Sequence, residues 1–351
     1  MVHYIDSFPG REITINEEKY LYFGGTAYLG LQTDSEFQEL LIDNIKKYGT
    51  NYGASRKSNI RLGIFDKAEA YLAELVGSES CITMSSGYLA GQFVTQFLDQ
   101  KEHTLFYTPN THSALYVAIS AEKKPKSYIT CAALNIALRD HLEHHKTTPV
   151  VFLDAIDFSG ANYPNFEGLQ MLPLSELILV VDDSHGIGVV GEKGAGVYKK
   201  IKELQPKELM VCCSLGKGFG VQAGAIFGTT VRLLELKDSN FFGGASPASP
   251  AHLASIVHGE KIYTTKRVRL EGNTHLFLEN LNHPIKFKYM EGHPAFSFVD
   301  EKLTSYLEKK HIIVTSFRYP NDNSNLMSRI VISAAHTKAD ILKICDVIND
   351  F

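Results

Sequence analysis

Two apolar runs that each end in polar residues constrain this chain more than any other feature. The first run, LVVDD from Leu179, reaches Asp182, and His185 lies three residues further on. The second, ELMVCCS, ends at Ser214 and leads into the glycine-rich turn GKGFG, which contains Lys217. Either motif alone is typical of an ordinary strand end or turn. Taken together, they place an acid and a lysine at the ends of successive strands.

An acid and a lysine in these positions indicate pyridoxal 5'-phosphate chemistry. This cofactor acts as an electron sink while its ring nitrogen stays protonated, so a carboxylate must lie against that nitrogen and a lysine must bond the aldehyde carbon. Asp182 and Lys217 have the chemistry for these two roles. His185 could contact the phenolate oxygen of the ring, and Ser214 could donate a hydrogen bond to the phosphate. The glycines beside Lys217 let the backbone approach a ligand closely.

The segment SSGYLAG, residues 85–91, is a candidate phosphate site. Its glycine falls between a predicted strand and a predicted helix, and the free amides at a helix N-terminus bind phosphate. The alternative is a simple helix start capped by Ser85 or Ser86, which is equally compatible with this segment alone.

The middle of the chain alternates short apolar runs with helical patterns, which predicts an α/β fold with a mainly parallel central sheet and helices on both faces. Ligands of such sheets bind beyond the carboxyl ends of the strands, where Asp182 and Lys217 are placed. Predicted helices cover 67–76 and 86–98. Strands are predicted at 79–84, 104–107, 127–131, 149–153, 178–182, 209–213 and 223–227.

The pattern changes after about residue 236. The segment FFGGASPASPAH is typical of a linker and leads into a predicted helix over 250–264. Strands are predicted at 295–299, 311–316 and 329–333, followed by a helix over 338–349 with Thr337 as its N-cap. We expect an N-terminal segment over 1–45, a large cofactor-binding domain over 46–235 and a smaller C-terminal α/β domain over 236–351.

The two central segments, VDDSHGIGVVGEKGAGV and SLGKGFGVQAGA, resemble those of the α-oxoamine synthases, which are fold-type-I pyridoxal-phosphate enzymes. Within this family the segments are most similar to those of the 8-amino-7-oxononanoate synthases. Shorter matches follow in the family's order: AYLGL at 27–31, YGASR at 52–56, SSGYLAGQ at 85–92, NTHSAL at 110–115 and SRIVISAAHT at 328–337.

The resemblance implies roles for several more residues. Gly87 and Tyr88 would lie in the turn that holds the cofactor phosphate, and His112 would stack on the pyridine ring. Arg329 would bind the substrate carboxylate through a bidentate pair, the alternative being a surface salt bridge. Thr26 would lie near the substrate, where the family has asparagine.

One further departure from the family concerns the segment DAIDFSGAN. The family has a serine near the phenolate oxygen of the cofactor, and the nearest match to that serine is Phe158, with Ser159 beside it. The departures spare the cofactor residues and concentrate around the substrate.

The reaction implied by the resemblance joins an α-amino acid to an acyl-CoA or acyl-carrier-protein thioester, with loss of the carboxylate, to give an α-amino ketone. In the most similar members the substrates are alanine and a pimeloyl thioester, in biotin synthesis. The catalytic set would be Lys217, Asp182, His185 and His112, in a homodimer with shared active sites. The alternatives are another α-oxoamine synthase such as a 2-amino-3-ketobutyrate CoA ligase, a fold-type-I aminotransferase, and a catalytically silent protein that binds the cofactor.

Composition argues against other classes of function. A net charge of −4 and an isoelectric point near 6.4 disfavour nucleic acid as a partner. No segment approaches the ~20 apolar residues of a membrane span, and the N-terminal residues lack the apolar core of a signal peptide. The five cysteines form no CxxC pair and suit a reducing compartment. We therefore expect a cytoplasmic protein without a metal site, and interpret His141, His144 and His145 as a solvated helix face.

Overall fold

The computed structural model describes residues 2–109, 111–117, 127–158, 160–318 and 323–351. Packing divides the chain into two units. The small unit comprises Met1–Glu39, Phe158–Gly160 and Glu260–Phe351. The large unit comprises Leu40–Asp157 and Ala161–Gly259.

Strands and helices alternate through most of the described residues. The strands are β1 (Glu12–Ile15), β2 (Glu18–Phe23), β3 (Ser80–Met84), β4 (His103–Tyr107), β5 (Thr148–Asp154), β6 (Ile178–Asp182), β7 (Glu208–Ser214), β8 (Gly224–Gly228), β9 (Lys288–Tyr289), β10 (Ala295–Phe298), β11 (Ile312–Arg318) and β12 (Leu326–Val331). The helices are α1 (Ser35–Tyr48), α2 (Ile64–Val76), α3 (Gly87–Leu98), α4 (Cys131–His144), α5 (Glu167–Gln170), α6 (Tyr198–Lys202), α7 (Thr230–Asp238), α8 (Asn240–Gly244), α9 (Pro250–His258), α10 (Glu260–Glu279), α11 (Glu301–Lys309) and α12 (Lys338–Asn349).

The large unit is built on a six-stranded sheet in the order β3-β8-β7-β6-β5-β4. Strands β4, β5, β6 and β7 run parallel, and β8 pairs antiparallel with both β7 and β3. This confirms the mainly parallel central sheet of the predicted α/β fold. Every residue of β6 is buried, so both faces of the sheet are covered at its centre. The register pairs Asp154 with Asp182 and Asp182 with Cys212, which brings three strand ends to one edge.

Helix α3 shows how the sequence builds this core. Its apolar residues Ala90, Phe93, Val94 and Leu98 recur at the spacing of one helix face and are all buried. They pack with residues from all six strands of the sheet in one cluster. Burial of Phe93, Val94 and Leu98 contributes roughly 1.5–3 kcal/mol for each side chain relative to leaving it exposed. This packing fixes the N-terminus of α3 next to the ends of β7 and β8.

The small unit carries a second six-stranded sheet in the order β1-β2-β11-β12-β10-β9. Its strand pairs are antiparallel except β2 with β11. Helix α12 begins at a capping box, in which the Thr337 hydroxyl accepts from the Asp340 amide and the Asp340 carboxylate accepts from the Thr337 amide. The predicted cap and both bounds of this helix are therefore confirmed.

Two predicted elements were wrong. The run 127–131 is not a strand, because only Ser127 bridges to β4 and α4 begins at Cys131. The Thr130 hydroxyl accepts from the Ala133 amide and starts that helix. The predicted helix over 250–264 is two helices, α9 and α10, which are separated at Gly259. In the described ranges, no helix has both the length and the apolarity that spanning a bilayer requires.

Candidate active site

The predicted lysine and histidine are in direct contact. Lys217 lies in the turn between β7 and β8, His185 lies in the loop after β6, and 2.8 Å separates Nζ of the lysine from Nε2 of the histidine. The two segments approach closely because Gly218 has no side chain. A Cβ there would lie 2.2 Å from the carbonyl oxygen of Ile187. An amine and an imidazole at this distance can share or transfer a proton.

Asp182 is buried at the end of β6, with 8% of its surface exposed. Its Oδ1 atom accepts a hydrogen bond from the amide of Ser184 at 2.8 Å. The Ser184 hydroxyl in turn accepts from the amide of Ser214 at 2.8 Å. This chain of bonds ties the end of β6 to the end of β7, so the acid and the lysine turn are positioned by one network.

The next residue, Asp183, supports the loop that carries His185. It is 2% exposed, and its Oδ2 atom accepts from the amide of Val197 at 2.9 Å. A Cβ at Gly186 or Gly196 would lie 2.1 Å or 1.9 Å from its carboxyl oxygens. Burial raises the pKa of this carboxyl well above its usual range. The glycines of this segment therefore make room for a buried acid that fixes the loop.

The start of α3 lies against Ser214. The Ser86 side chain caps the helix by accepting from the amide of Leu89 at 3.1 Å, and Gly87 is the first helical residue. A Cβ on Gly87 would lie 2.6 Å from backbone atoms of Ser214. Tyr88 follows, 56% exposed. The close approach brings Ser214 to the helix N-terminus, where free backbone amides can bind a phosphate.

His112 connects to the same group of residues. Its amide donates to Oδ1 of Asp154 at 3.0 Å, and its Nδ1 atom accepts from the amide of Ala114 at 3.1 Å. Burial lowers the pKa of His112. The charge of Lys217 lowers this pKa further, whereas the charge of Asp182 raises it. An imidazole whose Nδ1 accepts a hydrogen bond is the neutral form with its proton on Nε2.

Asp154 is a site residue that sequence reasoning missed. It ends β5 in register with Asp182 and holds the backbone of His112. Burial raises the pKa of Asp154 well above its usual range, and the charge of Asp182 raises it further. The available signal was its position at a strand end in the parallel run, but its partner depends on strand register.

The remaining predicted residues, Arg329 and Thr26, belong to the small unit. Thr26 lies in the loop after β2, half-buried. Arg329 lies in the middle of β12, and its guanidinium carbon is 3.4 Å from the ring centroid of Phe158. Ser159 lies outside the described residues.

The side chains of the large unit fit pyridoxal 5'-phosphate. Asp182 supplies a buried carboxylate for a ring nitrogen, Lys217 supplies an amine for the aldehyde, and the α3 N-terminus with Ser214 supplies donors for a phosphate. His112 offers an imidazole that could stack on the ring. Over the described residues, no group of three or more His, Cys, Asp or Glu side chains could hold a metal ion.

A comparison with protein families gives one decisive match. The family model described as aminotransferase class I and II matches residues 20–348. The chain belongs to this family. Membership in the aminotransferase class I and II family accounts for the order of strands, acid and lysine along the chain.

Curated relatives of this chain are identical to it at about a quarter of the aligned positions. The 8-amino-7-oxononanoate synthase of Petrotoga mobilis is 26% identical over 96% of the chain and 89% of the relative. The enzyme of the same name from Dechloromonas aromatica is 26% identical over 95% and 90%. These similarities confirm the resemblance to α-oxoamine synthases that the motifs indicate.

Solved structures confirm the family fold. Serine palmitoyltransferase from Sphingomonas wittichii superposes with a TM-score of 0.80 at 18% identity, covering 99% of this chain and 91% of that one. The 8-amino-7-oxononanoate synthase from Francisella tularensis gives a TM-score of 0.69 at 18% identity, covering 94% and 97%. The fold class is therefore that of the fold-type-I transferases.

Proposed function

We propose that this protein is a pyridoxal-phosphate-dependent acyltransferase of the α-oxoamine synthase type. It condenses an α-amino acid with an acyl thioester, with loss of the carboxylate, to give an α-amino ketone. The most specific form of the proposal is 8-amino-7-oxononanoate synthase, which uses alanine and a pimeloyl thioester in biotin synthesis. The names of the full-length relatives support this choice of substrates.

The observation that carries the proposal is the contact between Lys217 and His185, 2.8 Å apart, next to the buried Asp182. A lysine amine that is to form and release a covalent bond needs a neighbour that can exchange its proton. The imidazole of His185 is placed to do so. Asp182 would hold the proton on the ring nitrogen of the cofactor.

Bound there, pyridoxal phosphate supplies an electron sink for the charge left on the amino acid when its Cα proton is removed. Lys217 Nζ would take that proton, with His185 Nε2 orienting the amine. The amides at the start of α3 and the Ser214 hydroxyl would bind the phosphate. Arg329 would bind the α-carboxylate, and Thr26 would lie near the substrate.

In the acyl step, the amino acid Cα forms a bond to the thioester carbonyl carbon. The carbon–sulfur bond breaks, and its electron pair leaves with sulfur as a thiolate, which takes a proton from solvent to become the free thiol. The original carboxylate then leaves as CO2, and a proton returns to Cα. Lys217 in its protonated form would supply that proton, since it holds the one removed earlier.

The test begins with the cofactor. Purified protein is incubated with pyridoxal phosphate, reduced with borohydride and digested, and peptides are weighed by mass spectrometry. We expect the cofactor on the peptide that contains Lys217. Lys207→Ala, an exposed lysine at the other end of β7, should keep the label, and Lys217→Ala should lose it. A label that survives in Lys217→Ala contradicts the proposal.

Substrates are then distinguished by thiol release across glycine, alanine and serine with acyl-CoA and acyl-carrier-protein thioesters. Thiol release that needs both an amino acid and a thioester supports an α-oxoamine synthase. Formation of a 2-oxo acid from the amino acid alone would instead indicate an aminotransferase, an activity that the description of the matching family model also names. Preference for glycine would indicate a different α-oxoamine synthase.

We also propose that the protein acts in the cytoplasm as a homodimer with shared active sites. Light scattering should give twice the mass of one 39.0 kDa chain. Mixing two inactive variants, one altered at Lys217 and one altered in a residue supplied by the other subunit, should restore part of the activity. A monomeric mass for the active protein would overturn this part.

A further inference from the structure

Arg329 lies against an aromatic ring rather than against an acid. Its guanidinium carbon is 3.4 Å from the centroid of the Phe158 ring, which is a face-on cation–π contact. The Phe158 ring also meets the ring of the fully buried His293 edge to face, with centroids 5.7 Å apart. Both partners of the stack belong to the small unit. The ring therefore fixes one face of the guanidinium.

The backbone at Phe158 is held in an uncommon conformation. Its φ angle is 57°, in the left-handed region that a bulky residue rarely adopts. Such a conformation persists only where the surroundings enforce it, and these positions cluster at ligand-binding sites. Here it accompanies the placement of the ring on Arg329.

The guanidinium has no acidic counter-ion in the part of the chain that the structure describes. Among the described residues, no carboxylate lies within ion-pair distance of Arg329, and its Nε atom is buried without a hydrogen-bond partner. Its neighbours across the sheet are Ser297 and Thr315. Burial lowers the pKa of Arg329 to about 10, which leaves the side chain charged at neutral pH. A half-buried cation with a buried, unused Nε donor is suited to receive an anion from outside the protein.

We propose that Phe158 is a specificity-determining residue that holds the Arg329 guanidinium for the substrate carboxylate and makes its flank apolar. This inference rests on the proposed function, in which Arg329 binds the α-carboxylate of the amino acid. Because the ring covers one face, the carboxylate binds in the plane of the guanidinium, along its hydrogen-bonding edge.

The apolar flank has a consequence for the choice of amino acid. A substrate held by its carboxylate at Arg329 has its side chain only a few bonds from the Phe158 ring. The ring offers no acceptor for a hydroxyl, so serine would lose a hydrogen bond to water without gaining one, whereas alanine loses none. Phe158 therefore favours alanine over serine.

The experiment measures dissociation constants for alanine and serine from the change that each causes in the visible absorption of the reconstituted protein, without thioester. Phe158→Ala should raise the dissociation constant for alanine about tenfold, because the Phe158 ring no longer holds the guanidinium in place. Phe158→Leu keeps an apolar side chain and should weaken alanine less while preserving the preference. Phe158→Ser should shift the ratio of serine to alanine affinity about tenfold toward serine.

Arg329→Ala is the matched control and should weaken alanine and serine equally. If all three Phe158 variants bind both amino acids as the wild type does, the inference is overturned and the proposed function stands. If Arg329→Ala leaves both affinities unchanged, the inference and the carboxylate role proposed for Arg329 are overturned, while the proposed acyltransferase reaction stands. Absence of any cofactor absorption in the wild type would instead overturn the proposed function, so the two failures are distinguishable.

Discussion

The two units hold their ionisable candidate site residues in different ways. At the strand ends of the large unit, Asp182, Asp154 and His112 are bound by backbone amides and by one another's segments. In the small unit, the half-buried Arg329 packs against the Phe158 ring, and its buried Nε atom has no hydrogen-bond partner in the described part of the chain.

This difference follows from what each region would bind. A cofactor that stays in place through many turnovers favours groups that are already ordered, because no reorganisation is then needed during the reaction. A substrate that enters and leaves can supply the missing counter-ion itself. The large unit is thus organised before binding, and the cation of the small unit is completed by binding.

The largest expected effect is at Lys217. Replacement by alanine removes both the covalent anchor and the proposed base, so we expect thiol release to fall by about 10⁴-fold. The contrast between the two units predicts that the loss of thiol release in Lys217→Ala is separate from the affinity for the amino acid carboxylate at Arg329. Thiol release by Lys217→Ala is compared with that by Lys207→Ala, which should stay near the wild type. Residual activity above one tenth would contradict the assignment.

Asp182 and Asp154 end neighbouring strands and pair in register, but their replacement should affect turnover very differently. Asp182→Asn removes the charge proposed for the ring nitrogen and should lower turnover by about 10³-fold. Asp154→Asn should cost much less, because burial and the charge of Asp182 raise the pKa of Asp154, which favours its neutral form.

The pH dependence of the free energy of unfolding tests whether the pKa of Asp154 is raised. A carboxyl with a raised pKa destabilises the fold as pH rises from its unfolded value of about 3.9 through its folded value. Asp154→Asn should therefore be relatively more stable than the wild type toward neutral pH, measured by urea unfolding. Equal pH profiles for the two proteins would contradict a raised pKa.

The sequence predicted the candidate cofactor residues of the large unit that lie in local motifs, and it missed Asp154. The residues of local motifs could be recognised because each follows an apolar strand within a few positions, as Asp182 and Lys217 do. The direct contact between Lys217 and His185 was not predicted, although both residues follow the ends of consecutive strands. Asp154 was missed because its partners depend on the register of β5 with β6, which no local pattern encodes.

Contacts between distant segments were also beyond the sequence. The stack of Phe158 on Arg329 joins residues that are far apart in the chain, and it depends on a left-handed backbone at a residue that rarely adopts one. Strands β1 and β2 were not predicted, and β2 is held by parallel pairing with β11. The false strand at 127–131 shows the converse error, in which a local apolar run outweighed the cap at Thr130.

His336 in the small unit should be important for stability and not for the cofactor. It is 1% exposed. Its Nε2 is 3.0 Å from the carbonyl of Tyr22 and its Nδ1 accepts from the amide of Ser333. Burial lowers its pKa from 6.5 to about 4. The native state binds fewer protons, so stability is complete above pH 6.5 and falls as pH drops toward 4, by about 3 kcal/mol.

Urea unfolding of the wild type and of His336→Gln between pH 7 and pH 4 measures this loss. The variant should be less stable at pH 7 and should show a shallower decline toward pH 4. Its binding of pyridoxal phosphate at pH 7 should be unchanged, because the cofactor residues belong to the large unit. Parallel declines in the two proteins would show that other groups cause the acid sensitivity.

The smallest effect separates loosening of the small unit from loss of its binding function. Thr337→Ala removes the capping box of α12 and should lower the free energy of unfolding by about 1 kcal/mol. Because the hydrogen bonds of the capping box join Thr337 to Asp340, alanine affinity should not change, whereas Phe158→Ala should weaken it. Thr337→Ser, which keeps the hydroxyl, is the control for stability. If Thr337→Ala weakened alanine as much as Phe158→Ala does, the effect at Phe158 would be general loosening of the unit, and the contrast between the two regions would fail.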